Sequence, residues 1–133
     1  MRSTRKRSQR HNTTRKRSWG YQLLIDASAC DPDAIRSKKI ITAFVHELVT
    51  KIHIIAYGSP RIVRFGRGDL VGLTLVQLIE KSDITAHFIE KTNDAYMDVF
   101  SCKSFDHTAV VQLFTKYFKP RHKRVRFLKR QAS

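Results

Sequence analysis

The side chains best equipped for proton and nucleophile chemistry fall in one stretch. Residues 72–102 read GLTLVQLIEKSDITAHFIEKTNDAYMDVFSC and hold Thr74, Ser82, His87 and Cys102. A serine hydroxyl can attack a carbonyl, an imidazole carries protons near neutral pH, and a thiol has a readily tuned pKa. Each also has a plain structural reading. Lys-Ser-Asp is a common turn, a lone histidine is usually a satisfied sheet residue, and a free cysteine is usually a small buried hydrophobe. Other site patterns are missing: the sequence has no Gly-rich phosphate loop, no paired His/Cys metal spacing and no nucleophile elbow. The six histidines (His11, His46, His53, His87, His107 and His122) are scattered, so no metal centre is expected. Cys30 and Cys102 lack metal or redox spacing, which predicts free thiols in a reducing compartment and a cytoplasmic protein.

The hydrophobic pattern supplies a scaffold for these residues. Residues 21–27 (YQLLIDA) read as a first strand, and Asp31-Pro32-Asp33 as a turn or helix start with acids suited to the helix dipole. Residues 35–52 place Ile40, Ile41, Phe44, Val45, Leu48, Val49 and Ile52 on one helical face. Residues 53–57 read as a short strand closed by Gly58-Ser59-Pro60, residues 61–65 as a further strand, and residues 66–69 as a turn. The apolar run 70–79 predicts a buried strand. Residues 83–89 and 95–102 form a predicted hairpin around the polar turn 91–94. Asp106 caps a second helix that buries Val110, Val111, Leu113, Phe114, Tyr117 and Phe118 and ends at Lys119-Pro120, and residues 125–128 read as a last strand.

This order predicts an α+β fold: a two-layer sandwich of a mainly antiparallel sheet with two helices on one face. The other face is apolar enough to need cover, which a homodimer stacked sheet on sheet would provide. Alternation puts Ser82 and Cys102 on one parity and His87 on the other. Their convergence therefore requires a bulge, or Ser82 outside the regular strand.

The stretch 72–102 resembles the small bacterial and archaeal type of S-adenosylmethionine decarboxylase, a pyruvoyl enzyme of polyamine (spermidine) synthesis. That family's motif runs approximately E-S-H-[IL]-[ST]-I-H-T-x-P-E, followed by a strand ending D-[VI]-[FY]-[ST]-C-G. Ser82, Ile84, Thr85 and His87 match the first part, and Ala95, Asp98, Val99, Phe100, Ser101 and Cys102 continue in the same register. Gly72 and Thr74 sit where the family has a small turn residue and a processing serine. Leu23-Leu24-Ile25-Asp26 with Cys30-Asp31-Pro32, and the basic segment Phe118-Lys119-Pro120, Lys123-Arg124-Val125 and Leu128-Lys129-Arg130, extend the likeness over roughly residues 20–130.

The resemblance implies a zymogen that cleaves itself between Lys81 and Ser82. Ser82 would become a pyruvoyl group that forms a Schiff base with the substrate amine, with no metal involved. His87 would move protons in processing, Thr74 would support it, and Cys102 would return a proton to the decarboxylated carbon. The sequence departs from the family at Lys81 (a glutamate there), Asp83 (a histidine), Lys103 (a glycine) and Glu90-Lys91 (Pro-Glu). The family glutamate at 91 is implied to hold the substrate's ribose hydroxyls. A lysine ammonium cannot accept those hydrogen bonds, whereas Glu90 can if the loop shifts by one residue. Decarboxylation of arginine or ornithine, and a processing-deficient non-catalytic paralogue that acts as a basic binding protein for nucleic acid or another anionic partner, stay open beside the first reading.

Charge arithmetic sets the bounds. The chain has 133 residues, 26 Lys+Arg and 11 Asp+Glu, for a net charge of +15. Residues 1–18 and 116–133 each hold eight cations and no acid, so the middle is close to neutral. With 41% hydrophobic residues one folded domain is expected over residues 19–133, preceded by a basic arm at 1–18 that is expected to be disordered. No run is long enough to span a bilayer, and no apolar segment follows the basic start, which predicts no membrane role and no secretory signal. The arm (Arg5, Lys6, Arg7, Arg15, Lys16 and Arg17 among its cations) suits solvation or non-specific contact with nucleic-acid phosphates.

Overall fold

The computed structural model describes residues 18–133, so the arm cations Arg5, Lys6, Arg7, Arg15, Lys16 and Arg17 lie outside the described residues. Among the described residues six strands form one antiparallel sheet in the order β2-β3-β4-β5-β1-β6. The strands are β1 (Gly20–Ser28), β2 (Ala56–Phe65), β3 (Gly72–Ile79), β4 (Ser82–Ile89), β5 (Asp94–Ser101) and β6 (His122–Arg130). The helices are α1 (Pro32–Ile35), α2 (Lys38–Lys51) and α3 (His107–Phe118). The α+β architecture expected from the pattern is the one observed.

Alternation decides which side chains meet the helices. Leu23, Ile25 and Ala27 of β1, Leu73, Leu75 and Ile79 of β3, Ile84, Ala86 and Phe88 of β4, and Ala95, Met97 and Val99 of β5 are buried. They pack under Ile41, Phe44, Val45 and Leu48 of α2 and Val110, Leu113, Phe114 and Phe118 of α3. Phe44, Phe88, Phe114 and Phe118 interlock there, mainly edge-on or tilted, the arrangement that the ring quadrupole favours. The opposite residues of each strand form an open face without helices. Val76, Leu78 and Tyr96 lie exposed on it.

Several element boundaries differ from the sequence expectations, each for a local reason. The helix expected over residues 35–52 is two helices. Ser37 is extended, and its hydroxyl accepts from Ile40 N–H, a cap that starts α2 afresh. The two short strands at 53–57 and 61–65 are one strand, β2, with a register shift between Tyr57 and Arg61 in place of a turn. Pro60 is tolerated because β2 is an edge strand. Buried Gln77 of β3 anchors the irregularity by donating to the carbonyls of Leu78, Gly58 and Tyr57.

The apolar run 70–79 becomes strand only at Gly72, after a 3-10 turn over Gly68–Leu70. A Cβ at Gly72 would lie 1.6 Å from the carbonyl oxygen of Phe88, so only glycine fits this strand entry. Among the described residues, no helix is long and apolar enough to cross a membrane.

Candidate active site

Ser82 is the first residue of β4, immediately after a two-residue turn that joins it to Ile79 of β3. Lys81, the second turn residue, has φ +53°, in the left-handed region that costs a non-glycine residue about 1–2 kcal/mol. The Ser82 hydroxyl donates to the Lys81 carbonyl oxygen at 2.5 Å and accepts from the Cys102 backbone N–H at 3.1 Å. The hydroxyl is thus held against the carbonyl group of its own peptide bond, with Cys102 beside it at the end of β5. Cys102 is half-buried and unpaired, while Cys30 is buried and unpaired. Burial pushes the Cys30 thiol up to about 11, with Asp94 adding to the rise, which leaves it unreactive.

His87 and Thr74 form a second cluster. They are direct partners across the β3–β4 ladder, with Thr74 Oγ1 and His87 Nδ1 hydrogen-bonded at 3.2 Å. The ladder runs from Ile79–Ser82 to Thr74–His87 without a register shift. His87 therefore lies five residues, about 16 Å, along β4 from Ser82 and on the opposite face. No bulge brings the two together, and Ser82 is inside the strand.

The parity expectation for Cys102 fails. Residue numbers share a parity only within a strand, and β5 pairs Phe100 with Asp83. Alternation carried one residue past β5 thus aligns Cys102 with His87 on the open face, not with Ser82.

The open face carries an acidic row around His87. Register sets Asp26 of β1 beside Tyr96 of β5, Tyr96 beside His87, Asp98 beside Thr85, and Asp83 beside Phe100. Partial burial pushes the carboxyls of Asp83 and Asp98 above the usual range. Asp98 adds to the rise at Asp83 and Asp26 to that at Asp98, while His87 pulls Asp98 back. This face gains from a proton or a cation. Asp26 and Asp98 were legible only as members of matched stretches, because their proximity depends on which strands pair.

Glu90 and Lys91 follow β4 at the end remote from Ser82. The Glu90 carboxylate accepts from Arg64 at 2.9 and 3.1 Å, which holds it below its usual range. Arg36 donates to the Glu90 carbonyl at 2.6 Å, and Lys91 pairs with Asp69 at 2.8 Å. Arg64 lies 26 residues from Glu90 with no spacing signal in the sequence. Among the described residues, no group of three His, Cys, Asp or Glu side chains is placed to hold a metal ion.

Comparison with known proteins bears on this geometry. A family profile described as S-adenosylmethionine decarboxylase matches residues 21–131. The crystal structure of the adenosylmethionine decarboxylase from Aquifex aeolicus VF5 superposes with a TM-score of 0.74 at 19% identity, covering 88% of this chain and 94% of that chain. No curated protein sequence matches.

Proposed function

The chain belongs to the S-adenosylmethionine decarboxylase family, and from that premise we propose that it is the proenzyme of a pyruvoyl-dependent decarboxylase that cuts itself between Lys81 and Ser82. The observation that carries this reading is the Ser82 hydroxyl held on the Lys81 carbonyl group at the left-handed turn. Ser82 Oγ attacks the Lys81 carbonyl carbon as the Ser82 nitrogen leaves, which turns the amide into an ester and frees the amine. Loss of the Ser82 α-proton with departure of the Lys81 carboxylate leaves a dehydroalanine end. Water then replaces its nitrogen, released as ammonia, and a pyruvoyl end results. The side chain of residue 81 takes no part, so Lys81 is compatible with the chemistry.

The pyruvoyl group, once formed, supplies the electron sink for the pair released with carbon dioxide. The chain's own residues do the rest. Cys102, adjoining residue 82, is the proton donor to the product carbon. His87, oriented by Thr74, moves protons during processing. The acidic row of Asp26, Asp83 and Asp98 attracts a cationic substrate such as S-adenosylmethionine, whose decarboxylated product serves polyamine synthesis.

His87 stands about 16 Å from Ser82 and on the other face, too far for proton transfer within one chain. We infer a homodimer in which open faces stack head to tail, so that the Thr74–His87 pair of one copy lies over the Ser82 end of the other and meets there Cys102, which is on the open face, and the Lys81–Ser82 peptide bond, which lies in the plane of the sheet. Exposed Val76, Leu78 and Tyr96 supply apolar surface for that contact. Two unpaired cysteines suit a reducing cytoplasm.

A second substrate reading rests on the Glu90–Arg64 and Lys91–Asp69 pairs. They engage the side chains nearest the family's ribose-binding position, which favours a smaller cationic amino acid, arginine or ornithine. Intact mass spectrometry tests the central claim. Fragments 1–81 and 82–133 are expected, the second blocked at its amino terminus, and Ser82→Ala must stay whole. A wild-type chain that stays whole on prolonged incubation removes the enzyme reading. Carbon dioxide release from the three candidate substrates then separates them.

A further inference from the structure

Strand register gathers charges of both signs at one corner of the open face. β6 is an edge strand paired with β1, and the ladder sets Arg124 opposite Asp26 and His122 opposite Ser28. On the other side of β1, Asp26 lies beside Tyr96 of β5, and Asp94 begins that strand. These six residues line an open hollow of about 340 Å³. Ala27 and Lys123 border it too, but they pair with each other on the alternate parity, which turns their side chains toward the helix side. The cations therefore stand on one side of the hollow, on β6, and the acids on the other, on β1 and β5. Among the described residues no ion pair joins Asp26 to Arg124, and Asp94 is in none either. The row of Arg124, Asp26, Tyr96 and His87 lies five residues, about 16 Å along the strands, from Ser82.

Opposite charges separated by one strand spacing, about 4.8 Å, match a small zwitterion. An α-amino acid carries its ammonium and its carboxylate on one carbon. A carboxylate accepting from Arg124 therefore sets the ammonium toward Asp26. A third group meets the side chain. Asp98 is two residues from Tyr96 on the same face of β5, and so diagonal to Asp26 at about 7–8 Å. Burial, and then Asp26, push its carboxyl above the usual range, so a cation brought there is favoured. An extended arginine side chain spans a comparable distance. An acidic side chain would be repelled by Asp98, and a polyamine would leave Arg124 unmatched.

We propose that this hollow binds a free basic α-amino acid, with its carboxylate on Arg124 and His122, its α-ammonium between Asp26 and Asp94, and its side-chain cation on Asp98. The assignment deepens the decarboxylase reading by naming the ligand class of the open face. It rests on that reading for the role of the bound amino acid, the substrate held before it reacts at residue 82, and not for the binding itself.

Isothermal titration calorimetry on the full-length Ser82→Ala chain tests the proposal, because that chain can form neither a pyruvoyl group nor a Schiff base. L-Arginine should bind, one molecule per chain. Agmatine, which lacks the carboxylate, and Nα-acetylarginine, which lacks the ammonium, should each bind more than about 10-fold more weakly. Adding Arg124→Gln should weaken arginine by a similar factor while agmatine stays within about 2-fold. Adding Asp26→Asn should weaken both. Far-UV circular dichroism establishes that the variants fold, and the comparison of ligands needs no further substitution. The proposal is overturned if arginine does not bind, if agmatine or glutamate binds as tightly as arginine, or if Arg124→Gln leaves arginine binding unchanged. A wild-type chain that stays whole in the mass spectrum, while Ser82→Ala binds arginine in the expected pattern, removes the decarboxylase reading and upholds the site.

Discussion

A chain carrying His87→Asn should be rescued by a chain carrying Ser82→Ala. The reasoning rests on the unshifted β3–β4 ladder, which holds His87 about 16 Å from the Ser82 of its own chain and on the opposite face. Proton transfer needs hydrogen-bond reach, so the working imidazole must come from a second copy. Alone, His87→Asn should slow self-cleavage by about 10²–10⁴-fold, the usual contribution of a positioned acid–base group. Alone, Ser82→Ala should not cleave at all. Co-expressed in equal amounts with distinguishable tags, about half of the His87→Asn chains pair with Ser82→Ala chains and meet an intact imidazole. Intact mass spectrometry should then show about half of the His87→Asn chains cut and every Ser82→Ala chain whole. If mixed dimers form and the His87→Asn chain stays uncut, catalysis in trans is wrong. If His87→Asn alone is cut at the wild-type rate, His87 has no role in processing.

Cys102→Ala should leave fragments 1–81 and 82–133 unchanged while carbon dioxide release falls by about 10²-fold or more, because the thiol acts after processing. Cleavage and turnover assays on one preparation separate the two effects. Gly72→Ala should lower Tm by more than about 10 °C in a thermal melt, because its Cβ would overlap the Phe88 carbonyl, which belongs to the adjoining strand backbone. Asp98→Asn should raise Tm at neutral pH. Asp98 has its carboxyl pushed up by burial and Asp26, so the folded state disfavours its charge, a penalty that accrues as pH rises from the usual aspartate range through the raised folded value. The gain should fade as pH falls below that range, and a gain that persists in acid would assign the effect to packing.

The sequence made the two-layer architecture legible because burial follows period. Alternation in β3, β4 and β5, and the Phe44–Leu48 and Val110–Phe118 spacings, each choose one face, and those faces meet in the core. What stayed hidden depends on pairing. Gln77 reads as a polar interruption of an apolar run, and its role emerges only when it is seen to hold the irregular β2. The relation of Cys102 to His87 follows from the hairpin register, which residue numbers do not carry. The Arg64–Glu90 clamp joins an edge strand to a turn 26 residues away. The candidate site was legible as a set of residues, while its division into two clusters was not.

That division also orders the departures from the family motif. The Ser82 end keeps the groups that the proposed cleavage uses: a hydroxyl, a carbonyl in a left-handed turn, and Cys102 adjoining. In the proposed cleavage Lys81 contributes its backbone carbonyl, so that step places no demand on the side chain that replaces the glutamate. The other end has changed in kind. Glu90 and Lys91 are each committed to an ion pair, with Arg64 and Asp69, and Arg36 fixes the Glu90 carbonyl. Pairs with an exposed partner are screened by solvent and contribute little to stability, so folding alone explains them weakly. The Arg64 pair does engage the carboxylate nearest that position, leaving Glu90 fewer acceptor sites for a sugar's hydroxyls. Departures therefore fall at both ends: Lys81, Asp83 and Lys103 adjoin Ser82 and Cys102 but leave those two residues in place, while Glu90-Lys91 changes the end that the proposed reading assigns to substrate choice. Assays for the product should therefore follow the cleavage test and, where fragments 1–81 and 82–133 are found, begin with the choice of amino acid.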